Sequence, residues 1–244
     1  SDVAANKHLH WSKDLGVGEF RSPSNFAGGN TFDSEGAMIV CEGGTRAVSR
    51  ISSDGARVIL VDRFKEKKLN SPNDVIISRD GAIWFTDPTY GLQGRAKEQD
   101  ENRVYRYSLK TGTLEAVIST MSMPNGLAFS PDESLLYVGN SAEDDRYIMA
   151  FQVRPKGKLD NGRRFAEIES RRWGADGVKV DELGNVYAAC GDGINIFRPD
   201  GSLIGKIPTD TDVTNLVFGG RSGKTLFFTG HSALFSIEMN VRGT

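Results

Sequence analysis

Asn73, Asn125, Asp176 and Asn215 hold the same place in a repeating pattern, and all four side chains carry an oxygen. The fifth member of the set is Gly28. Oxygen ligands brought together from several strands are what a hard cation such as calcium takes. A carboxylate among them can also act as a base or a nucleophile, and Asp176 is the only carboxylate in the set. Asn and Asp also suit turns and strand starts, where they satisfy backbone groups. The pattern therefore has a structural reading beside the chemical one.

The elements that must position these residues follow from the repeat. Five segments, 28–36, 73–81, 125–133, 176–184 and 215–223, align without gaps at offsets of 45, 52, 51 and 39 residues. Each opens on a small or polar residue, continues as a short apolar run and ends in a turn; four of the five turns close on Gly. A second run follows each turn, at 37–41, 82–86, 135–138, 186–190 and 225–229. These runs are β-branched and aromatic and too short for helices, so they read as buried strands. A third, more alternating strand comes next, and turns such as Ser53-Asp54-Gly55 lead to outer strands such as Arg57-Val58-Ile59-Leu60. Four strands in about 40–50 residues is a β-propeller blade. The expected fold class is all-β, a β-propeller, with residues 1–244 as one domain. The inner strands of a propeller begin near its axis, which predicts one mouth lined by Gly28, Asn73, Asn125, Asp176 and Asn215. The loops after the second strands are expected to add Glu42, Asp87 and Asn140 on the same face.

The ends leave two arrangements open. The last repeat holds three strands, and the first 24 residues hold about two, at 7–11 and 18–21. Either these two are the outer half of a blade whose inner half precedes Ser1, or strand 18–21 completes the last blade of a five-membered ring.

Several motifs in order carry a family resemblance. They are Leu69-Asn70-Ser71-Pro72-Asn73-Asp74-Val75, Ile83-Trp84-Phe85-Thr86-Asp87-Pro88, Pro124-Asn125-Gly126-Leu127-Ala128-Phe129-Ser130-Pro131-Asp132-Glu133, Ala175-Asp176-Gly177 and Asn215-Leu216-Val217-Phe218-Gly219-Gly220. The chain resembles the gluconolactonase/regucalcin (senescence marker protein) family over essentially its whole length. The resemblance implies six blades, one axial divalent cation (calcium first, with zinc, manganese or magnesium as alternatives) and hydrolysis of a small lactone such as gluconolactone. It implies that Asn125 and Asp176 ligate the metal, that Asp176 is also the base or nucleophile, and that Asn73 meets substrate or metal-bound water. Asp87, Glu42, Asn215 and His231 are the expected further substrate contacts. Nothing in the chain matches the family's N-terminal Glu-Gly-Pro strand, whose Glu is the third ligand; it is expected before Ser1. Gly28 and Gly43 stand where the family commonly has Asn and His, which predicts a wider mouth. A propeller without catalysis that binds a cation or a partner is the alternative reading.

Composition excludes other classes. The net charge of -2 gives no field for a polyanion, so no nucleic-acid partner is expected. No apolar run nears the roughly 18 residues of a membrane helix. The chain is 38% hydrophobic and 25% charged, as an ordinary globular protein is. No zincin motif, P-loop or Cys-x-x-Cys is present, and Gly230-His231-Ser232 lacks the second Gly of a nucleophile elbow. His8 and His10 are expected at the surface of an outer strand. Cys41 and Cys190, in separate blades, are expected to be free thiols. The sequence leaves the oligomeric state open.

Overall fold

The computed structural model describes residues 1–170 and 172–244. It is all-β, with short 3₁₀ turns at Tyr90–Leu92 and Pro155–Gly157 as the helical elements among the described residues. None of its helices is long and apolar enough to cross a membrane. The chain forms two compact units, Ser1–Met121 and Ser122–Thr244.

The first unit opens on a hairpin of β1 (His8–Ser12) and β2 (Gly16–Arg21). All register partners of β2 lie in β1, so the strand predicted at 18–21 does not complete the last sheet. The first blade is β3 (Ala27–Phe32), β4 (Met38–Glu42), β5 (Ala47–Ile51) and β6 (Arg57–Val61), paired in that order. A small ribbon, β7 (Arg63–Phe64) with β8 (Lys67–Lys68), leads to the second blade. That blade is β9 (Val75–Ile77), β10 (Ala82–Asp87), β11 (Arg103–Ser108) and β12 (Thr113–Ile118).

The second unit holds β13 (Pro124–Phe129), β14 (Leu135–Ala142), β15 (Asp145–Arg154) and β16 (Lys158–Glu167) as one blade. The next is β17 (Val178–Val180), β18 (Val186–Cys190), β19 (Gly193–Phe197) and β20 (Leu203–Pro208). The last has three strands, β21 (Val213–Gly219), β22 (Thr225–Gly230) and β23 (Leu234–Glu238). Five antiparallel meanders of the propeller type are thus present, on the strands the repeat predicts.

Burial explains the two hydrophobic patterns. The second strands are covered on both faces: β4, β10 and β18 are buried at every residue. The outer strands face solvent along one side, as in β12 and β20. The core lies between successive sheets within each unit. Ile39, Cys41 and Val48 of the first blade pack with Val75, Ile83, Phe85 and Tyr105 of the second. Tyr137, Ile148 and Phe165 pack with Val178, Val186 and Phe197 in the other unit. Each such large side chain contributes about 1.5–3 kcal/mol by leaving water.

His8 departs from expectation. It is 3% exposed, both ring nitrogens lack a partner, and burial, helped by the positive Ser1 amino group and Arg21, lowers its pKa to about 4. His10, two residues on along the same face, is exposed as expected, so burial is confined to the start of the strand. Both cysteines are free and buried, as expected.

Candidate functional site

The inner strands of every blade begin with an irregularity. Ala27 pairs with Glu42, and the next pair is Asn30 with Val40, so Gly28 and Gly29 together face Cys41. Pro124 pairs with Asn140 and Leu127 with Val138, so Asn125 and Gly126 face Gly139. Asn73 N–H donates to Thr86 O while Thr86 N–H donates to Asp74 O, again two residues against one. Asp176 and Gly177 face Ala189 in the same way. An extra residue of this kind kinks the strand and re-aims its side chain.

The second residue of three of these pairs carries a lateral bond to the next blade, while Asp74 N–H donates to Thr86 Oγ1 in its own blade. Gly29 N–H donates to Asn73 O at 2.7 Å, Gly126 N–H to Asp176 O at 2.8 Å and Gly177 N–H to Thr214 O at 2.9 Å. These approaches demand glycine. A Cβ on Gly126 would stand 1.9 Å from Asp176 O, and one on Gly177 would stand 2.3 Å from Asn215 Oδ1. Gly28 has the same cause, and Gly43 a weaker form of it. Their Cβ atoms would stand 2.6 Å from Asn73 O and 3.3 Å from Phe26 O, so backbone fills the space.

In the second unit the stitching links Asn125, Asp176 and Thr214 in turn, so Thr214 and not Asn215 stands at the repeat position of Asp176. Asn215 is one residue on, where Asp74 stands in the first unit, and like Asp74 it accepts the next residue's N–H. Asn125 is 6% exposed; its Nδ2 donates to Ser141 Oγ at 3.2 Å, and its Oδ1 has no partner. Asp176 is half-buried. The residue before it, Ala175, is fully buried with φ +52°, in the left-handed region that costs an L-residue about 1 kcal/mol or more. That turn brings the Ala175 carbonyl toward β14 and starts the strand at Asp176. Asn215 is half-buried and spends its Oδ1 on its neighbour Leu216 N–H at 2.8 Å. His231 is exposed, with its backbone N–H on Thr211 Oγ1. In the first unit, Asn73 is half-buried at the same repeat position.

The residues expected from the second strands are buried. Glu42, Asp87 and Asn140 are each 0% exposed. Glu42 accepts from Arg57 Nε (2.9 and 3.0 Å) and Nη2, Arg21 Nη1 (3.2 Å), Asn25 Nδ2 (3.2 Å), Thr45 Oγ1 (2.7 Å) and Ser49 Oγ (3.1 Å). Burial pushes its pKa up, but the Arg57, Thr45 and Asn25 bonds outweigh burial and hold the carboxyl below its usual range. Asp87 Oδ2 accepts Asn70 N–H at 2.8 Å, and Oδ1 has no partner. Burial raises its pKa to about 7 against the Asn70 and Ser71 N–H groups and the charges of Arg46 and Arg103. Asn140 accepts Met123 N–H (2.8 Å) and donates to Asp145 O (2.7 Å). All three hold the segment that leads into an inner strand. Glu42 and Asp87, expected as substrate contacts, are turned into the protein by this work.

Among the described residues, no group of three or more His, Cys, Asp and Glu side chains is placed to hold a metal ion. The oxygen donors of the site are an amide and one carboxylate. Asn125 Oδ1, buried and without a partner, fits an oxygen-seeking cation, as does the Asp176 carboxylate on the strand beside it. Sequence reasoning passed over Ser141, which holds that amide. Its signal lies in the repeat: Gly43, Pro88, Gly191 and His231 stand at the equivalent place in the other blades.

Residues 1–232 match the SMP-30/Gluconolactonase/LRE-like region family, and the chain belongs to that family. A gluconolactonase of Zymomonas mobilis is 35% identical over all of this chain and 75% of its own length. A gluconolactonase structure from Xanthomonas campestris superposes with a TM-score of 0.90 at 36% identity, covering 100% of this chain and 81% of that one. An X-ray structure carrying the gluconolactonase family name gives a TM-score of 0.92 at 35% identity, over 100% of this chain and 84% of that one.

Proposed function

We propose that the protein is a lactonase that opens small sugar-acid lactones, with gluconolactone as the first substrate to test. One observation carries the reading: the buried, unpartnered Asn125 Oδ1 on a strand bonded directly to that of Asp176. Folding buries this oxygen without a protein partner, and a buried acceptor left unpaired costs about 1–3 kcal/mol. A ligand that accepts an oxygen donor recovers that loss.

Asn125 Oδ1 and the Asp176 carboxylate are the protein's donors for one divalent cation, calcium first by its preference for oxygen. When bound, such a cation polarises the lactone carbonyl and neutralises the developing oxyanion. Asp176 takes a proton from the attacking water as its oxygen adds to the carbonyl carbon. The ring C–O bond then breaks, and the former ring oxygen leaves as a hydroxyl after receiving a proton. In this reading Asn215 and His231 offer polar contacts to substrate hydroxyls. The shared blade plan and the relatives named gluconolactonase support the substrate class.

Acid release from gluconolactone and from an acyl-homoserine lactone tests the proposal, with and without a chelator. The expected result is chelator-sensitive hydrolysis of gluconolactone, restored by calcium or manganese. No acceleration over buffer with added calcium, manganese or zinc would overturn it.

A further inference from the structure

Ser141 Oγ lies 2.8 Å from Gly174 O, 3.1 Å from Ala175 O and 3.2 Å from Asn125 Nδ2. A hydroxyl has one proton to give and lone pairs with which to accept. Two of these three neighbours are carbonyl oxygens and can only accept. The Ser141 proton is therefore committed to the segment 174–175, and the hydroxyl can only accept from Asn125. A flipped Asn125 amide would set Oδ1 against an oxygen with no proton left for it. The network thus fixes which end of the amide faces inward.

We infer that Ser141 is a positioning residue: by accepting from Asn125 Nδ2 it presents Oδ1 as an acceptor to the site. The inference rests on the reading of Asn125 as an oxygen donor to a ligand. Ser141 is itself well anchored. Its N–H donates to Met123 O at 3.0 Å, and it follows Asn140, whose side chain holds Met123 N–H. The approach of segment 174–175 is forced as well, because a Cβ on Gly139 would stand 2.3 Å from Ala175 O. The same hydroxyl therefore links the amide of Asn125 to the left-handed turn that starts the Asp176 strand.

Three variants test this: Ser141→Ala, Ser141→Thr and Asn125→Asp, the last alone and combined with Ser141→Ala. The first readout is the NMR signal of the Asn125 side-chain amide in the cation-free protein. Ser141→Ala should shift it and speed its proton exchange, and Ser141→Thr should restore it. The second is calorimetric titration with calcium and with manganese. Ser141→Ala should weaken binding about tenfold, and Ser141→Thr should recover it. In the Asn125→Asp background the two oxygens are equivalent, so Ser141→Ala should cost less than about twofold. An unchanged amide signal in Ser141→Ala would overturn the inference, as would unchanged cation affinity in a protein that binds. If the natural protein takes up neither cation, the cation reading fails, while the amide signal still decides the role of Ser141.

Discussion

Glu42, Asp87 and Asn140 close the second strands, and Asn125, Asp176 and Asn215 open inner strands. Both sets are short polar side chains near the innermost strand pairs, and their surroundings differ. Glu42 is fully buried, yet it is ringed by donors from Arg57, Arg21, Asn25, Thr45 and Ser49 and stays ionised. Asp87 is equally buried but receives only backbone N–H groups, and its pKa rises to about 7. Asn125 keeps one oxygen unpartnered where the strand has been re-aimed by its extra residue. A buried polar group that folding satisfies supports architecture; one that folding leaves without a protein partner is available for chemistry. Asp87 Oδ1 is also open, but it is held beside the fully buried Tyr105, whose phenol pKa burial raises first and the Asp87 charge raises further.

This contrast can be broken at four points. Asp176→Ala should lower gluconolactone hydrolysis by about 10³-fold, the scale of losing a general base, with the thermal midpoint nearly unchanged. Retained activity would remove Asp176 from the chemistry. Asp87 should impose a pH slope on stability. Its folded pKa of about 7 lies above the ordinary 3.8. Between those values the folded state holds a proton that the unfolded state has lost. Stability from this group therefore falls by about 3 kcal/mol as pH rises from 4 to 7. Asp87→Asn should flatten that fall in urea midpoints taken across the range; parallel curves for the two proteins would refute it.

Glu42→Ala should cost about 3 kcal/mol, because Arg57 and Arg21 lose their buried partner. Activity per folded molecule should persist, the reverse of Asp176→Ala. A rate that collapses while the denaturation curve holds would return Glu42 to the site. Asn215→Ala should be smallest, with about 1 kcal/mol lost with the bond to Leu216 N–H and hydrolysis within a few-fold of normal. Chemical denaturation and initial rates measured on one preparation separate the two effects.

The blade plan was legible because strands announce themselves locally. The runs 82–86 and 186–190 are largely apolar and aromatic, and the structure covers both faces of β10 and β18. The repeat position of Asn125 and Asp176 was legible for the same reason. What escaped was direction. A loop carboxylate such as Glu42 has no sequence mark for the six groups that reach it from positions 21 to 57. Gly28 reads as missing bulk until Asn73 O is found where its Cβ would be. Ser141 shows no motif, because its meaning depends on a carbonyl 33 residues away. His8 reads as exposed because its burial comes from the hairpin and its neighbours, not from its own strand.

The unfilled valence of Asn125 has an evolutionary consequence. An apolar residue at 125 would remove a buried acceptor that has no protein partner, so selection for thermal endurance alone would tend to erase this asparagine. Its persistence in a lineage would then report use rather than architecture. Position 125 is where a stability screen and an activity screen of random variants should disagree most, with the winners of one failing the other.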